Sequence, residues 1–167
     1  MKNILKVSLL SVAALGMTVA CTDKAQAAVT INPVEVTLGY EYNDVTEGQD
    51  GVDSLRAEIG TVSKLGNANV AYGLTTLTND SSLRAYGAYA GLPLKVQGTK
   101  LTVEPRIAVE QYRTESELVG SVGVGARYEI VPTVDLNARA MYSRAFDNDA
   151  KDLLDGESYM VGLTKRF

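Results

Sequence analysis

The sequence contains no histidine and no tryptophan, and its 167 residues include a single cysteine. Without histidine the commonest general base and metal ligand is missing, so His-dependent mechanisms are excluded. The cysteine, Cys21, lies within residues 1–27, and the remainder holds neither a disulfide framework nor a thiolate zinc site. Positive charge is also short, with 16 Lys and Arg against 20 Asp and Glu. Lys2, Lys6 and Lys24 fall within residues 1–27 against one acid there, Asp23, so the rest of the chain is more acidic still. No nucleic-acid partner is expected, because phosphate binding wants a basic surface.

Long apolar runs are scarce as well. The longest, Val7 to Ala20, is too short to cross a bilayer comfortably as a helix. Lys2 and Lys6 precede it, and Ala25-Gln26-Ala27 supplies the small residues that a signal peptidase needs. Residues 1–27 therefore read as an export signal cut after Ala27, leaving residues 28–167 as one domain. Thr18-Val19-Ala20-Cys21 offers the alternative of lipidation at Cys21.

What the rest of the chain has is alternation with a period of two, the mark of half-buried strands. Val34, Val36, Leu38, Tyr40 and Tyr42 share one face of the first segment, opposite Glu35, Thr37, Gly39 and Glu41. Similar segments follow near 54–64, 69–78, 83–91, 101–112, 118–130, 134–143 and 158–167. Ala and Gly fill both faces of the 83–91 segment, so its facing stays open. The alternation slips after Gly60, which suggests a bulge, and Pro105 inside a strand suggests another. Strands of about ten residues suit a tilted bilayer crossing. Short links alternate with mostly longer, acidic ones, as in an up-and-down membrane barrel. The expected fold is an all-β, eight-stranded antiparallel transmembrane β-barrel.

Alternation alone does not separate this barrel from a soluble one with its apolar face turned inward. The polar face decides: it is mostly Gly, Ser, Thr and Ala with isolated charges, which suits a narrow interior. The expected lumen charges are Glu35, Glu41, Arg56, Glu58, Arg84, Glu104, Arg106, Glu110, Arg127, Glu129 and Arg139. Arg84 has the alternative of reaching lipopolysaccharide phosphates at the outer rim. Tyr40, Tyr42, Tyr112, Tyr142, Phe146 and Tyr159 fall toward one set of strand ends, and Tyr128 and Phe167 toward the other. Rings with a polar tip favour membrane interfaces, so these residues are expected to form two girdles.

The final segment, Tyr159-Met-Val-Gly-Leu-Thr-Lys-Arg-Phe167, resembles the C-terminal insertion signal of bacterial outer-membrane barrels, with Tyr159, Val161, Leu163 and Phe167 on one face. It departs from that pattern at Lys165. Residues 33–167 resemble the small eight-stranded barrels typified by the transmembrane domain of outer-membrane protein A and the Ail/OmpX-like proteins. The resemblance implies an outer-membrane location, assembly by the barrel-assembly machinery, and contact with outer-membrane lipid and lipopolysaccharide.

No nucleophile–base pair stands out. Glu104 with Glu110 is weak evidence for acid–base work without a cleft. The Asp147–Glu157 segment is rich in carboxylates, but Lys151 and Asp152 break the calcium-loop pattern, so a solvated acidic loop is expected. No enzyme activity, cofactor or metal is expected. The leading expectation is a structural or adhesive outer-membrane barrel with acidic surface loops and a lumen filled by ion pairs. A narrow porin for water, ions or very small solutes is one alternative, and a soluble periplasmic barrel carrying apolar ligands is another.

Overall fold

A computed structural model describes residues 33–45, 52–79, 84–113, 117–146 and 155–167. The expectations for residues 1–27 and for most of the Asp147–Glu157 segment lie outside those residues. The strands are β1 (Val34–Val45), β2 (Val52–Leu65), β3 (Ala68–Thr78), β4 (Arg84–Gly91), β5 (Leu94–Lys95), β6 (Leu101–Tyr112), β7 (Glu117–Val131), β8 (Val134–Ala145) and β9 (Gly156–Arg166). Every neighbour pair is antiparallel. β1 pairs with both β2 and β9, and β4 pairs with β6, so the sheet closes on itself. The result is an eight-stranded barrel in which β5 is a two-residue extension of the fourth staves' edge, laid against β6. Closure satisfies every edge that an open sheet would expose to lipid.

Two tight turns mark one end of the barrel. Leu65 pairs with Ala68 across Gly66-Asn67, and Gly66 takes a positive φ of 61°, which a primed hairpin turn requires. Pro132-Thr133 makes the other turn. Proline fixes φ negative and excludes a primed turn, and the β7–β8 ladder slips between Glu129 and Val131 to accommodate it. This is where the bulge lies. The β1–β2 and β2–β3 registers run without a slip through Gly60, so no bulge forms there.

Pro105 is absorbed differently from the expected bulge. The β6–β7 register passes Pro105 unbroken, opposite Val124. On its other side β4 has already ended, and the Leu92 N–H donates to the Pro105 carbonyl over 2.9 Å. The missing donor thus falls at the gap between β4 and β5, where no strand asks for it.

The pleat sorts the side chains into two environments. Leu38 (63% exposed), Leu55, Ile59, Leu74, Ile107, Val122, Val161 and Leu163 all face outward. Glu41 (1%), Glu58, Glu104, Glu110, Arg56, Arg106 and Arg139 are buried in the lumen. An apolar exterior around a charged interior is the arrangement of a barrel solvated by lipid. It overturns the soluble-carrier alternative, which needs the apolar face turned inward, whereas Leu38, Ile59, Val122 and Leu163 are turned outward. Among the described residues no helix is long and apolar enough to cross a membrane, and crossing falls to the strands.

Candidate functional site: the barrel lumen and its rims

Glycine opposite a long side chain is the packing rule of this interior. Gly39 pairs with Arg56, Gly87 with Glu110, Gly91 and Gly123 with Arg106, and Gly125 with both Glu104 and Arg139. A β-carbon at Gly91 would stand 2.8 Å from Glu104 Cγ. Small residues on one strand therefore make room for charges on the next, as interdigitated layers require. The same rule seats Tyr89. A methyl at Gly60 would collide with its hydroxyl, and one at Gly73 would come 2.9 Å from its ring. Gly39 and Gly123 are similarly covered by the side chains of Met160 and Met141. The space beside Gly39, Gly60, Gly73, Gly91 and Gly123 is thus filled by neighbouring side chains.

The charges these glycines admit are joined without a break. At the loop end, Arg56 donates to Glu110 and Glu41, with Nη2–Glu41 Oε1 at 2.7 Å, and its Nη1 also reaches Thr75 Oγ1 at 2.6 Å. Arg139 links Glu41, at 3.4 Å, to Glu58, at 2.7 Å. Arg106 links Glu58, at 2.6 Å, to Glu104, at 3.6 Å. Arg127 links Glu104, at 2.6 Å, to Glu35, at 2.8 Å. The chain Glu110–Arg56–Glu41–Arg139–Glu58–Arg106–Glu104–Arg127–Glu35 alternates in sign along the barrel, each arginine between two carboxylates. At the turn end Arg166 pairs with Glu129 at 3.2 Å and Asp135 at 2.8 Å. Asp135 and Arg166 join the expected lumen charges on this inward face, although the sequence analysis did not count them among those charges. Their signal was the alternation itself.

Arg84 is not part of this network. It is exposed, on the outward face at the loop end of β4, where it pairs with Thr78. The β3 and β6 registers fix the facing that Ala and Gly left open: Ala85, Gly87, Tyr89 and Gly91 point inward. Tyr112 is the second correction. It is 7% exposed and joins Leu77, Ala85, Val119 and Ala145 in an apolar cluster across the lumen at the loop end. Its ring sits on the Glu110 side of β6, so alternation turns it away from lipid. Leu77 and Val119 are wholly buried there.

The other expected interface aromatics (Tyr40, Tyr42, Tyr128, Tyr142, Phe146 and Tyr159) are exposed on the outer face, and Tyr86 accompanies them. Tyr86 donates to Gln111 Oε1 at 2.9 Å, and Tyr159 donates to Glu157. Tyr159, Val161, Leu163 and Phe167 all project outward along β9 and just beyond it. Glu104 and Glu110, the carboxylates weighed for acid–base chemistry, are both engaged by arginines. Among the described residues no group of three or more acidic side chains is placed to hold a metal ion.

No family model and no curated protein matches the chain. Solved structures do. A de novo designed transmembrane β-barrel matches with a TM-score of 0.55 at 17% identity, over 81% of this chain and 96% of that one. Neisserial surface protein A matches with a TM-score of 0.53 at 17% identity, over 81% and 96%. The Yersinia pestis outer membrane protein Ail, in a phospholipid bilayer nanodisc, matches with a TM-score of 0.53 at 13% identity, over 81% and 99%. The chain thus has the fold of the small eight-stranded outer-membrane β-barrels, and its closed sheet with an apolar exterior is the membrane-spanning form of that fold.

Proposed function

We propose that this outer-membrane barrel is a non-enzymatic structural or adhesive protein. Its barrel carries acidic loops at the cell surface while its lumen stays closed. The observation that carries the reading is the unbroken Glu–Arg alternation capped by the Leu77–Val119 apolar layer. An interior filled by paired charged side chains leaves no open path for a solute and no cleft for a substrate. The strand ends on the loop side support the surface role, since Asp44, Asp53 and Glu157 are all exposed there. Lipopolysaccharide is the outer-leaflet partner in this reading. The outward run of Tyr159, Val161, Leu163 and Phe167 serves as the signal to the barrel-assembly machinery.

Planar-bilayer recording tests the closed lumen. The expected result is no stable conductance step, and stable channels would replace this reading with the narrow-pore one. One observation favours that second reading: the Nε atoms of Arg106, Arg127, Arg139 and Arg166 are buried without a hydrogen-bond partner among the described residues, a pattern that hydration of the lumen would relieve. Osmotic swelling of vesicles measures water passage separately from ion passage.

A further inference from the structure

Two cross-strand pairs of like charge stand on the outer face at the loop end. Asp44 of β1 lies opposite Glu157 of β9, and both are exposed. The Arg113 N–H donates to the Arg84 carbonyl at 2.7 Å, which extends the β4–β6 register by one pair and sets two exposed arginines side by side. Alternation turns these side chains outward, since their chain neighbours Ser158, Ala85 and Tyr112 are buried on the lumen side. Like charges directly opposite each other destabilise a sheet. None of the four forms an ion pair among the described residues, although the Tyr159 hydroxyl donates to Glu157.

The two pairs occupy opposite sides of the barrel at one height. Four strands, β1 to β4, lie between the two seams one way and four, β6 to β9, the other. The ladder from Asp44 runs through Glu157, Tyr142, Val122 and Ile107 to Ala90, five steps that end six residues below Arg84, toward the turn end. From Arg84 it continues in the same direction through Thr78 and Leu55 to Tyr40, three steps that end four residues below Asp44. A descent in proportion to the steps is what strand tilt produces, so Asp44 and Arg84 are level.

Shape follows the same levels. Below Asp44, the exposed side chains of Tyr40 and Leu38 form a ridge. At matching depths below Arg84, Ala88 and Ala90 leave a groove between Leu74 and Ile107. One face thus presents bulk beneath negative charge, and the other a groove beneath positive charge.

Resting on the membrane-barrel reading above, we infer that the β9–β1 face of one copy docks on the β4–β6 face of the next, with Asp44 and Glu157 set against Arg84 and Arg113. The partner is a second copy of this chain, inserted in the same direction. Lipid tails cover the ridge and the groove but leave both like-charge pairs uncompensated, whereas a second copy compensates them. Because the two faces lie on opposite sides of the barrel, the contact is head-to-tail and builds open rows rather than closed pairs.

The test reconstitutes the whole chain in phosphatidylcholine vesicles, with donor and acceptor dyes placed sparsely on lysine, and reads energy transfer as the protein-to-lipid ratio is varied. The described lysines, Lys64, Lys95, Lys100 and Lys165, lie at the turn end, away from the four charges. The intact chain is expected to exceed the transfer of random encounter at low salt and to lose much of the excess at high salt. R84E/R113E and D44R/E157R are each expected to weaken association about tenfold, and an equimolar mixture of the two variants to restore it. Random-level transfer in the intact chain, or a mixture of the variants that stays at the random level, overturns the row. Binding of spin-labelled phosphatidylglycerol that R84E/R113E loses, with transfer at the random level throughout, assigns the arginines to lipid phosphate and overturns it as well. Unheated gel mobility, read in parallel, reports whether the barrel has formed. A chain that never inserts overturns the membrane reading and the row with it, whereas inserted barrels that meet only at random overturn the row alone.

Discussion

Arg106 lays its guanidinium over the ring of Tyr89, with Cζ 3.5 Å from the ring centroid. The ring itself rests on Gly60 and Gly73, so a cation, an aromatic face and two bare stretches of backbone are stacked across the lumen wall. A desolvated cation–π contact contributes about 2 kcal/mol, and loss of the ring leaves a cavity as well. Tyr89→Ala is therefore expected to lower stability by about 3–5 kcal/mol, and Tyr89→Phe by much less. With no tryptophan to report, unfolding is best followed by far-ultraviolet circular dichroism in urea.

Gly73 is the other half of that stack. A β-carbon there would press on the backbone of β2 at Ile59 and Gly60 as well as on the Tyr89 ring, and backbone does not move aside. Gly73→Val should cost about 1–3 kcal/mol or prevent closure. Gly66→Asn, at a turn where an added side chain meets open space and asparagine tolerates a positive φ, should fold normally. Heat-modifiable gel mobility separates the two outcomes.

Glu58 accepts from both Arg106 and Arg139 on one oxygen. Glu58→Gln removes the charge that both guanidiniums face, and breaking a buried pair costs about 3–5 kcal/mol. Arg106→Ala should lower stability in the same range. The double variant Glu58→Gln/Arg106→Met is expected to lose less than the sum of its parts. Denaturant midpoints for the single and double variants supply the cycle, and additivity would contradict a shared buried contact.

Leu38 faces lipid near the middle of β1, flanked by Ala57 and Leu163. Leu38→Arg should cost about 2–4 kcal/mol in a bilayer. Thr37→Ser, inside the lumen, keeps the 2.8 Å hydroxyl contact with Thr164 and should cost far less. Refolding yield into vesicles measures both.

Two independent layers close the lumen, so opening it should need two changes. Leu77→Ser alone is expected to leave planar bilayers silent, because Arg56 still bridges Glu41 and Glu110 beneath it. Leu77→Ser with Arg56→Ala should raise conductance above the single variants.

Strand existence and the facing of most strands were legible in the sequence because a polar–apolar period of two leaves one solution for each. Arg84 shows the limit. In β4 the inward residues Ala85 and Gly87 and the outward residues Ala88 and Ala90 are alike in polarity, and only pairing with β3 and β6 fixes which is which. Tyr112 shows a different kind of miss. Counting from Leu101, Val103 and Ile107 places it inward with Glu110, but its position near a strand end suggested the membrane interface instead. The break between β4 and β5 was beyond reach of the sequence pattern, since it depends on which strand lies opposite Pro105. The Glu–Arg connectivity was likewise out of reach: Arg127 and Glu35 are 92 residues apart, and closure of the barrel brings them together.

Because every arginine in the lumen chain bridges two carboxylates, a charge change at one position disturbs its neighbours on both sides. Drift inside the cylinder must then proceed by matched exchanges, acid and base together, whereas the lipid face accepts one aliphatic residue for another singly. The two surfaces of the same strands are thus held to different standards, and libraries that randomise Leu38, Ile59 or Val122 should yield many more folded clones than those that randomise Glu41, Glu58 or Arg139.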